Sequence, residues 1–243
     1  ATLRFPQKTE DFEKYWPADM ILEGQDQTRG WFYSQLALAT MAFGKSPYKS
    51  VVMHGFALDG QGKKMSKSLG NVVYAKDMLN KFGGPVTRLV ILSAHYRQPV
   101  NFTDETVLAA QQEVNKMTMA YRQMALALQS PGVDIDSLKP SNIDKFLLAL
   151  ADDLNTANAL AELYNVLKEA NQSLRTRDID YEKLGGLFKT LSDMFYVLGL
   201  DIKYTKLNAD DLKLYQSYLE AKANKDFEMS DKLRAELIVR NIM

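Results

Sequence analysis

The chain has 243 residues, of which 46% are hydrophobic, with 30 basic and 30 acidic side chains and no cysteine. This composition predicts a globular protein of one large or two ordinary domains, and it excludes disulfides, thiolate nucleophiles, cysteine-ligated zinc and a whole-protein attraction to nucleic acid. No apolar run approaches the roughly 20 residues that a membrane helix requires, and the first residues lack the order of a signal peptide, so we expect a cytoplasmic protein without a membrane partner.

Up to about residue 100 the chain alternates strand-like and helix-like segments. Short apolar runs at residues 19–23 and 49–58 predict two strands. The stretch between them predicts a helix, beginning near "QDQTRGW", that ends at Gly44, with Pro47 as a stop signal beyond it. A crossover of this length normally joins parallel strands, so the sequence predicts a βαβ unit.

The carboxyl ends of the two predicted strands are the expected ligand-binding edge. Residues 23–27 follow the first strand and residues 54–56 follow the second, and open α/β sheets bind ligands at such an edge. Trp31 and Phe32 lie just beyond, at helical spacing, where they can form a pocket wall or belong to the core.

From Thr103 onward the pattern predicts helices almost without interruption. Apolar residues recur at alternating steps of four and three, which forms one buried stripe on each helix. The third stripe stops at Gly199, a fourth helix is expected to begin at Asn208, and a short one follows Asp226. The three stripes are Ala110, Val114, Met117, Tyr121, Met124 and Leu128; Leu160, Leu163, Leu167, Ala170 and Leu174; and Leu184, Leu187, Leu191, Phe195 and Leu198.

Two segments without helical periodicity divide the chain further. Residues 129–142, rich in serine, proline and aspartate, predict a loop between two helices of the bundle. Residues 97–105 mark a softer boundary between the α/β part and the helical part.

The segment "GKKMSKSLGN" at residues 62–71 follows the second predicted strand. Ammonium groups and hydroxyls suit the oxygens of a triphosphate, and the flanking glycines allow the loop to move. The P-loop spacing is missing, and by composition alone a solvated basic turn is the simpler interpretation. The polar side chains are Lys63, Lys64, Ser66, Lys67 and Ser68.

The string "KMSKS" at residues 64–68, followed by "LGN", resembles the second signature of class I aminoacyl-tRNA synthetases. The resemblance implies activation of an amino acid by ATP, in which the amino-acid carboxylate attacks the α-phosphorus and pyrophosphate leaves. It implies a catalytic role for Lys64, Ser66 and Lys67, of which Lys67 is the first choice. It also implies ATP binding by Lys64, Lys67 and Ser68, with Mg²⁺ arriving with the nucleotide.

The segment "LEGQDQTRGWF" at residues 22–32 closely resembles isoleucyl-tRNA synthetases, as does the run from Ser50 to Asn71. The resemblance implies that four residues line the aminoacyl-adenylate pocket. A carboxylate can hold an ammonium group or ribose hydroxyls, and a glycine lets the backbone approach a ligand. Capping of the following helix by the aspartate and glutamine is the alternative. The four residues are Glu23, Gly24, Asp26 and Gln27.

The "HG" pair His54 and Gly55 resembles the pair that precedes the signature loop in these enzymes, which implies contact with the adenosine of ATP. A histidine beside apolar residues is otherwise often a satisfied core residue.

The downstream part resembles a different branch of the same group. Residues 91–105, 152–160 and 223–237 are similar to cysteinyl-tRNA synthetases, in the segment after the loop and in the helical anticodon-binding domain. Without cysteine, thiol selection by zinc is unsupported, and no protein-bound metal is expected.

The helical part is the expected tRNA-binding region, where unstacked bases can be stacked and hydrogen-bonded. Arg175 and Arg177, near a helix end, are the first candidates for contact with tRNA. A second, looser basic set consists of Lys222, Lys225, Lys232, Arg234 and Arg240.

Together these patterns predict an α/β plus all-α fold: the second half of a Rossmann-type nucleotide-binding fold with its KMSKS loop, followed by a helical-bundle anticodon-binding domain. The expected boundaries are residues 1–70 for the catalytic half, 71–104 for a connecting segment that contacts the tRNA stem, and 105–243 for the bundle.

The expected function is ATP-dependent activation of an amino acid, isoleucine by its pocket motif, and its transfer to tRNA. The first signature, of the H-x-G-H type, is absent, because the only histidines are His54 and His95, 41 positions apart. The isolated chain is therefore expected to be incomplete, with a missing N-terminal catalytic half as a further partner. Three alternatives stay open: a cysteinyl-tRNA synthetase, a non-catalytic module of a truncated or chimeric synthetase that binds tRNA or adenylate, and a synthetase-derived ligase that joins an activated amino acid to something other than tRNA.

Overall fold

The computed structural model describes residues 7–176, 178–240 and 242–243. They form two compact units. The sheet unit comprises the residues up to 72 together with 96–101, and the helical unit comprises 73–95 and 102–243. None of the helices in these described ranges combines the length and the apolar character that a membrane crossing requires.

The sheet unit contains a parallel pair of strands joined by a helical crossover, as the sequence predicts. Strands β1 and β2 pair in parallel, with Gly24 opposite His54 at their carboxyl ends, and β3 pairs in parallel with β4. The elements are α1 (Thr9–Tyr15), β1 (Ala18–Gly24), α2 (Trp31–Phe43), β2 (Tyr48–His54), β3 (Ala57–Leu58) and β4 (Val100–Asn101).

The crossover helix is shorter than predicted. It ends as expected at Gly44, which adopts a left-handed conformation with φ 66°. However, Gln25–Arg29 form a 3₁₀ turn, and α2 begins only at Trp31. Gly30, with φ −128° and ψ −115°, separates the two because its backbone is not helical.

The second predicted strand is also interrupted, because Gly55 and Phe56 bond to a different segment. The Gly55 amide donates to the Tyr96 carbonyl over 2.8 Å, and the Val100 amide donates to the Phe56 carbonyl over 2.9 Å. The chain therefore leaves β2 after His54 and forms a second, small sheet with residues 96–101.

The helical unit is built from long amphipathic helices with polar caps. Thr103 and Asn208 form capping boxes, Asp226 caps the last helix, and Gly199 ends another helix at φ 65°. The helix Ala75–Leu92 was not predicted. The helix Asp144–Ala151 follows the predicted loop at 129–142 but had no predicted stripe, and the helix after Asp226 is longer than expected. The helices are α3 (Ala75–Leu92), α4 (Asp104–Gln129), α5 (Asp144–Ala151), α6 (Thr156–Ser173), α7 (Tyr181–Leu198), α8 (Ala209–Ala223) and α9 (Phe227–Val239).

The core of the helical unit follows the three predicted stripes. Every predicted residue is buried except Leu174, which is half-buried because α6 ends at Ser173. Between α4 and α7, the Tyr121 and Phe188 rings stack with centroids 4.4 Å apart. Burial raises the pKa of Tyr121 to about 12. The centre of the helical unit is therefore formed by close-packed apolar side chains and not by ion pairs.

Candidate functional site

The predicted ligand edge exists in the sheet unit, where β1 and β2 end side by side. Gly24 is buried and lies opposite His54. A methyl group at Gly24 would lie 3.5 Å from the Phe56 ring and 3.6 Å from the His54 ring. The two segments that the sequence assigns to the ligand-binding edge therefore share one edge of the sheet.

An ion pair joins the pocket segment to the signature loop. The Lys64 Nζ donates to Asp26 Oδ2 over 2.8 Å, and the same ammonium lies 4.2 Å from the centre of the Phe56 ring. The hydrogen bond from Lys64 lowers the pKa of the Asp26 carboxyl below its ordinary value. The ammonium is thus held by a carboxylate and an aromatic face, although both charged side chains are about half exposed.

Asp26 and Gln27, adjacent in sequence, have different contacts. Gln27 Oε1 accepts the Trp31 amide over 2.8 Å, so Gln27 caps α2, which is the alternative to ligand binding. Asp26 turns to the loop instead. The carboxylate of Glu23, exposed near the end of β1, has no hydrogen-bond partner among the residues that the structure describes.

Within the signature loop, Lys64 and Lys67 also have different contacts. Lys67 opens a 3₁₀ turn, Lys67–Leu69, and is exposed without an ion pair to any described residue. Ser66 caps this turn: its Oγ accepts the Leu69 amide over 3.3 Å and lies 3.1 Å from Ser68 Oγ. Lys67 is therefore available to a ligand, whereas Lys64 is already paired.

Two polar residues that flank the loop were missed by sequence reasoning. Asp59 Oδ1 accepts the amides of Gln61 and Lys63, both over 2.9 Å. Asn71 Oδ1 accepts the Ser66 amide over 2.9 Å, and Asn71 Nδ2 donates to Asp59 Oδ2 over 2.8 Å. Asparagine and aspartate next to glycine are common turn residues, so the available signal pointed only to a turn.

His54 is exposed, which excludes the core role considered for it, and its Nδ1 lies 2.7 Å from the Gly55 carbonyl oxygen.

Gly55 lies where its own backbone passes close to the backbone of Gln98 and Pro99. A Cβ at this position would lie 2.1 Å from the Gln98 carbonyl oxygen and 2.8 Å from Pro99 N. The close packing of the two backbones therefore requires glycine at position 55, independently of any contact with a ligand.

The two aromatic residues after the pocket segment differ in burial. Phe32 is buried and meets the Tyr48 ring edge-on at 6.4 Å, so it belongs to the core. Trp31 is 46% exposed.

The predicted tRNA-contact residues lie in the helical unit. Arg175 is exposed and lines an open cleft of about 430 Å³ between α4 and α6, together with Lys116 and Lys168. Arg177 lies outside the described residues. In the second basic set, Arg240 is paired with Asp211 at 2.9 Å and with Glu236 at 2.6 Å, so its charge is already used within the protein.

The ion pair leads to a testable expectation. Replacing Lys64 with methionine keeps a long side chain and removes the charge, so the pKa of Asp26 should rise toward its ordinary value. Because the folded pKa is lowered, the pair stabilises the fold above the ordinary pKa of aspartate, and this contribution is lost as the pH falls through the lowered value. A carboxyl titration by NMR measures this. Lys63→Met is the control, and equal Asp26 pKa values in Lys64→Met and the unchanged chain contradict the ion pair.

Comparison with known families divides the chain in two. Residues 1–103 match the tRNA synthetases class I (I, L, M and V), and residues 145–203 match the DALR domain.

Among curated proteins, the isoleucine–tRNA ligase of Methanocorpusculum labreanum is 55% identical over 145 residues, which are 59% of this chain and 13% of that protein. That of Methanoregula boonei is 67% identical over 94 residues, which are 39% of this chain and 9% of that protein. The chain therefore spans only a small part of the length of these relatives. The predicted isoleucyl resemblance is confirmed.

Among solved structures, Mycobacterium tuberculosis methionyl-tRNA synthetase bound by methionyl-adenylate is similar with a TM-score of 0.57 at 18% identity, covering 94% of this chain and 50% of that one. The Agrobacterium radiobacter K84 LeuRS-tRNA-LeuAMS complex is similar with a TM-score of 0.56 at 18% identity, covering 79% and 29%. At this identity the likeness concerns the fold, which is that of a class I synthetase with a helical domain.

Proposed function

The chain carries a class I tRNA synthetase domain at residues 1–103 and a DALR domain at residues 145–203, and from this premise we propose that it is part of an isoleucine–tRNA ligase. Its sheet unit binds ATP and isoleucine and forms isoleucyl-adenylate, and its helical unit binds tRNA. Because the similarity covers only 13% of the length of the Methanocorpusculum relative, we expect the activity of the whole enzyme to require further residues.

The observation that carries this proposal is the contact between the pocket segment and the signature loop. Asp26 and Lys64, 38 positions apart, meet at 2.8 Å. Nothing in the composition of a solvated basic turn requires this contact, whereas a shared site for nucleotide and amino acid requires the two segments to lie side by side.

In the proposed reaction the isoleucine carboxylate attacks the α-phosphorus of ATP, the bond from that phosphorus to the bridging oxygen breaks, and pyrophosphate leaves with the bond's electrons. Lys67 stabilises the charge on the departing phosphates, because it is exposed and unpaired within the described residues. The hydroxyls of Ser66 and Ser68 donate hydrogen bonds to the same oxygens. His54 and Gly55 contact the adenosine.

The amino-acid side of the proposed pocket is formed by the β1 end. Glu23 holds the α-ammonium, since its carboxylate is exposed and without a partner in the described part of the chain. Gly24 lets the adenylate approach the backbone. Asp26 and Gln27 complete this wall, and Gln27 at the same time caps α2.

The proposed metal use is limited to Mg²⁺ that enters with ATP. In the described ranges, no group of three or more histidine, cysteine, aspartate and glutamate residues lies close enough to hold a metal ion. The donor set of the loop, three lysines and two serines, favours phosphate oxygens rather than a cation. We also propose that the protein itself binds no zinc, since the chain has no cysteine.

For the helical unit we propose a tRNA contact through Arg175, which lines the cleft between α4 and α6. In this proposal residues 1–70 are the catalytic half, 71–104 the segment toward the tRNA stem and 105–243 the anticodon-binding bundle. A partner supplies the N-terminal catalytic half.

A second candidate is a binding module that holds adenylate or tRNA without turnover. It is favoured by the missing H-x-G-H signature. Of the two histidines, His54 belongs to the sheet unit, while His95 belongs to the helical unit, where its Nε2 lies 3.0 Å from the Asp153 carbonyl oxygen.

Non-hydrolysable aminoacyl-sulfamoyl adenosines distinguish these functions. We expect the isoleucyl compound to bind at least tenfold more tightly than the methionyl and cysteinyl compounds in isothermal titration calorimetry, about 1.4 kcal/mol of discrimination. The isoleucine-dependent exchange of pyrophosphate into ATP is measured in parallel. Binding without exchange selects the binding module, binding of the cysteinyl compound alone overturns the isoleucine assignment, and binding of none contradicts the proposed function.

A further inference from the structure

The two residues that sequence reasoning missed, Asp59 and Asn71, enclose the signature loop. They lie 12 positions apart and are joined by the 2.8 Å hydrogen bond from Asn71 Nδ2 to Asp59 Oδ2. The loop between them carries the catalytic lysines of the proposed function. A bond between its two ends closes it at the base.

Each of the two side chains also bonds to the loop's own backbone. Asp59 accepts the amides of Gln61 and Lys63, and Asn71 accepts the Ser66 amide at 2.9 Å. Asn71 Nδ2 makes a second, longer contact of 3.3 Å to the Lys64 carbonyl oxygen. The bonds from Asn71 and from the Lys63 and Gln61 amides lower the pKa of the Asp59 carboxyl, in keeping with a carboxylate that only accepts hydrogen bonds.

The donor and acceptor groups of Asp59 and Asn71 are complementary. Asp59 can accept three hydrogen bonds because it is ionised, and Asn71 can accept from Ser66 while donating to Asp59 because it is an amide. Two carboxylates at these positions would repel each other, and two amides would offer one acceptor fewer. The identity of each residue is therefore set by the other.

The bonded amides of Lys63 and Ser66 directly precede the two lysines of the signature, Lys64 and Lys67. Ser66, whose amide is held by Asn71, directly precedes Lys67 and caps the turn on which Lys67 stands. Lys64, whose carbonyl oxygen receives the longer contact, is the lysine bonded to Asp26. A displacement of Asn71 would thus move the turn that carries Lys67, whereas the backbone beside Lys64 is also held by the bond from the Met65 amide to the Ala57 carbonyl.

We infer that Asp59 and Asn71 are positioning residues for the proposed ATP reaction: their reciprocal hydrogen bonds hold the signature loop in the shape that presents Lys67 to the phosphates. They touch the loop backbone and act through Ser66 and Lys67. The role of the pair in presenting Lys67 to the phosphates rests on the proposed function.

Swapping the two residues, so that asparagine stands at position 59 and aspartate at position 71, tests the inference. Asn71→Asp should accelerate hydrogen exchange of the Ser66 amide about tenfold or more, the factor that corresponds to one lost hydrogen bond, because a second carboxylate at this position repels Asp59. The double variant Asp59→Asn with Asn71→Asp restores a donor facing an acceptor. It should return the exchange rate to within about threefold of the unchanged chain. NMR on the ligand-free chain measures these rates.

The affinity for ATP should follow the same order, with a weaker affinity in Asn71→Asp and recovery in the double variant. Asn80→Asp, on the exposed side of α3 in the helical unit, makes the same change of charge outside the loop and serves as the control. If the double variant recovers both the hydrogen-exchange rate of the Ser66 amide and the affinity for ATP, the inference is supported, because a general loss of stability would not be reversed by a second substitution.

Unchanged exchange at Ser66 in Asn71→Asp, or a double variant no better than the single one, overturns the inference. An ATP affinity that stays constant while the exchange rate rises and recovers overturns the positioning role. If the unchanged chain does not bind ATP, the proposed function fails, and the exchange rates alone decide whether the pair holds the loop.

Discussion

Replacing Lys67 with alanine is expected to slow isoleucine-dependent pyrophosphate exchange about a hundredfold or more while the affinity for isoleucyl-sulfamoyl adenosine changes little. The reason is the position of its charge. Lys67 is exposed and has no ion pair among the described residues, whereas Lys64 is bonded to Asp26. In the proposed reaction, negative charge builds up on the departing pyrophosphate, and Lys67 is the ammonium free to meet it.

Lys63 provides a matched control for this experiment. It belongs to the same loop, it is exposed, and its bonds to Asp59 come from its backbone: its amide donates to the Asp59 carboxylate and its carbonyl accepts the Asp59 amide. Lys63→Ala removes the same charge and should leave exchange within about twofold, the size of effect expected from a solvated surface lysine. If both variants lose exchange equally, the general charge of the loop matters and not Lys67. If Lys67→Ala is as active as the unchanged chain, the segment is a solvated basic turn. Should the unchanged chain show no exchange, the affinity for ATP is compared instead.

Gly55→Ala is expected to destabilise the sheet unit by about 3 kcal/mol or more. The added methyl would lie 2.1 Å from the Gln98 carbonyl oxygen, and a backbone atom cannot move away as the end of a flexible side chain can. The Tyr96–Gly55 and Phe56–Val100 hydrogen bonds hold the two segments together, so the clash would also strain these bonds.

Tryptophan fluorescence during urea unfolding measures this effect in the right unit, since the two tryptophans, Trp16 and Trp31, both belong to the sheet unit. Gly60→Ala is the control, because a methyl group there meets nothing within 4 Å. We expect its unfolding midpoint to change little. An equally stable Gly55→Ala variant would show that the segment at 96–101 can move away without cost, and the close approach would then have no structural importance.

Much of the fold could be predicted because periodicity reports burial directly. The stripe from Ala110 to Leu128 is buried at every predicted position, since a helix of 3.6 residues per turn places those residues on one face. The parallel pairing of β1 and β2 follows from the length of the crossover. The break of the second strand after His54 could not be predicted, because the partner of Phe56 lies about 40 residues further along the chain.

The candidate site shows the same division. Residue type and the KMSKS string allowed Gly24 and the lysines and serines of the loop to be proposed as candidate site residues. Residue type also allows Gln27 to cap a helix instead of binding a ligand, and the structure contains that cap. Asp59 and Asn71 could not be identified in this way, because each alone is an ordinary turn residue and only their 2.8 Å bond gives them a common role.

The sequence by itself determined the helical stripes, the two strands with their crossover, and the family resemblance of the loop, because these depend on residue type and on spacing along the chain. Tertiary structure alone decided which lysine is paired and which has no ion pair in the described part of the chain. Asp26 is 38 positions from Lys64, and no local rule distinguishes Lys64 from Lys67 three residues later. Which ammonium meets a carboxylate depends on how the loop folds back across the end of the sheet, and that is set by contacts between residues far apart in the chain.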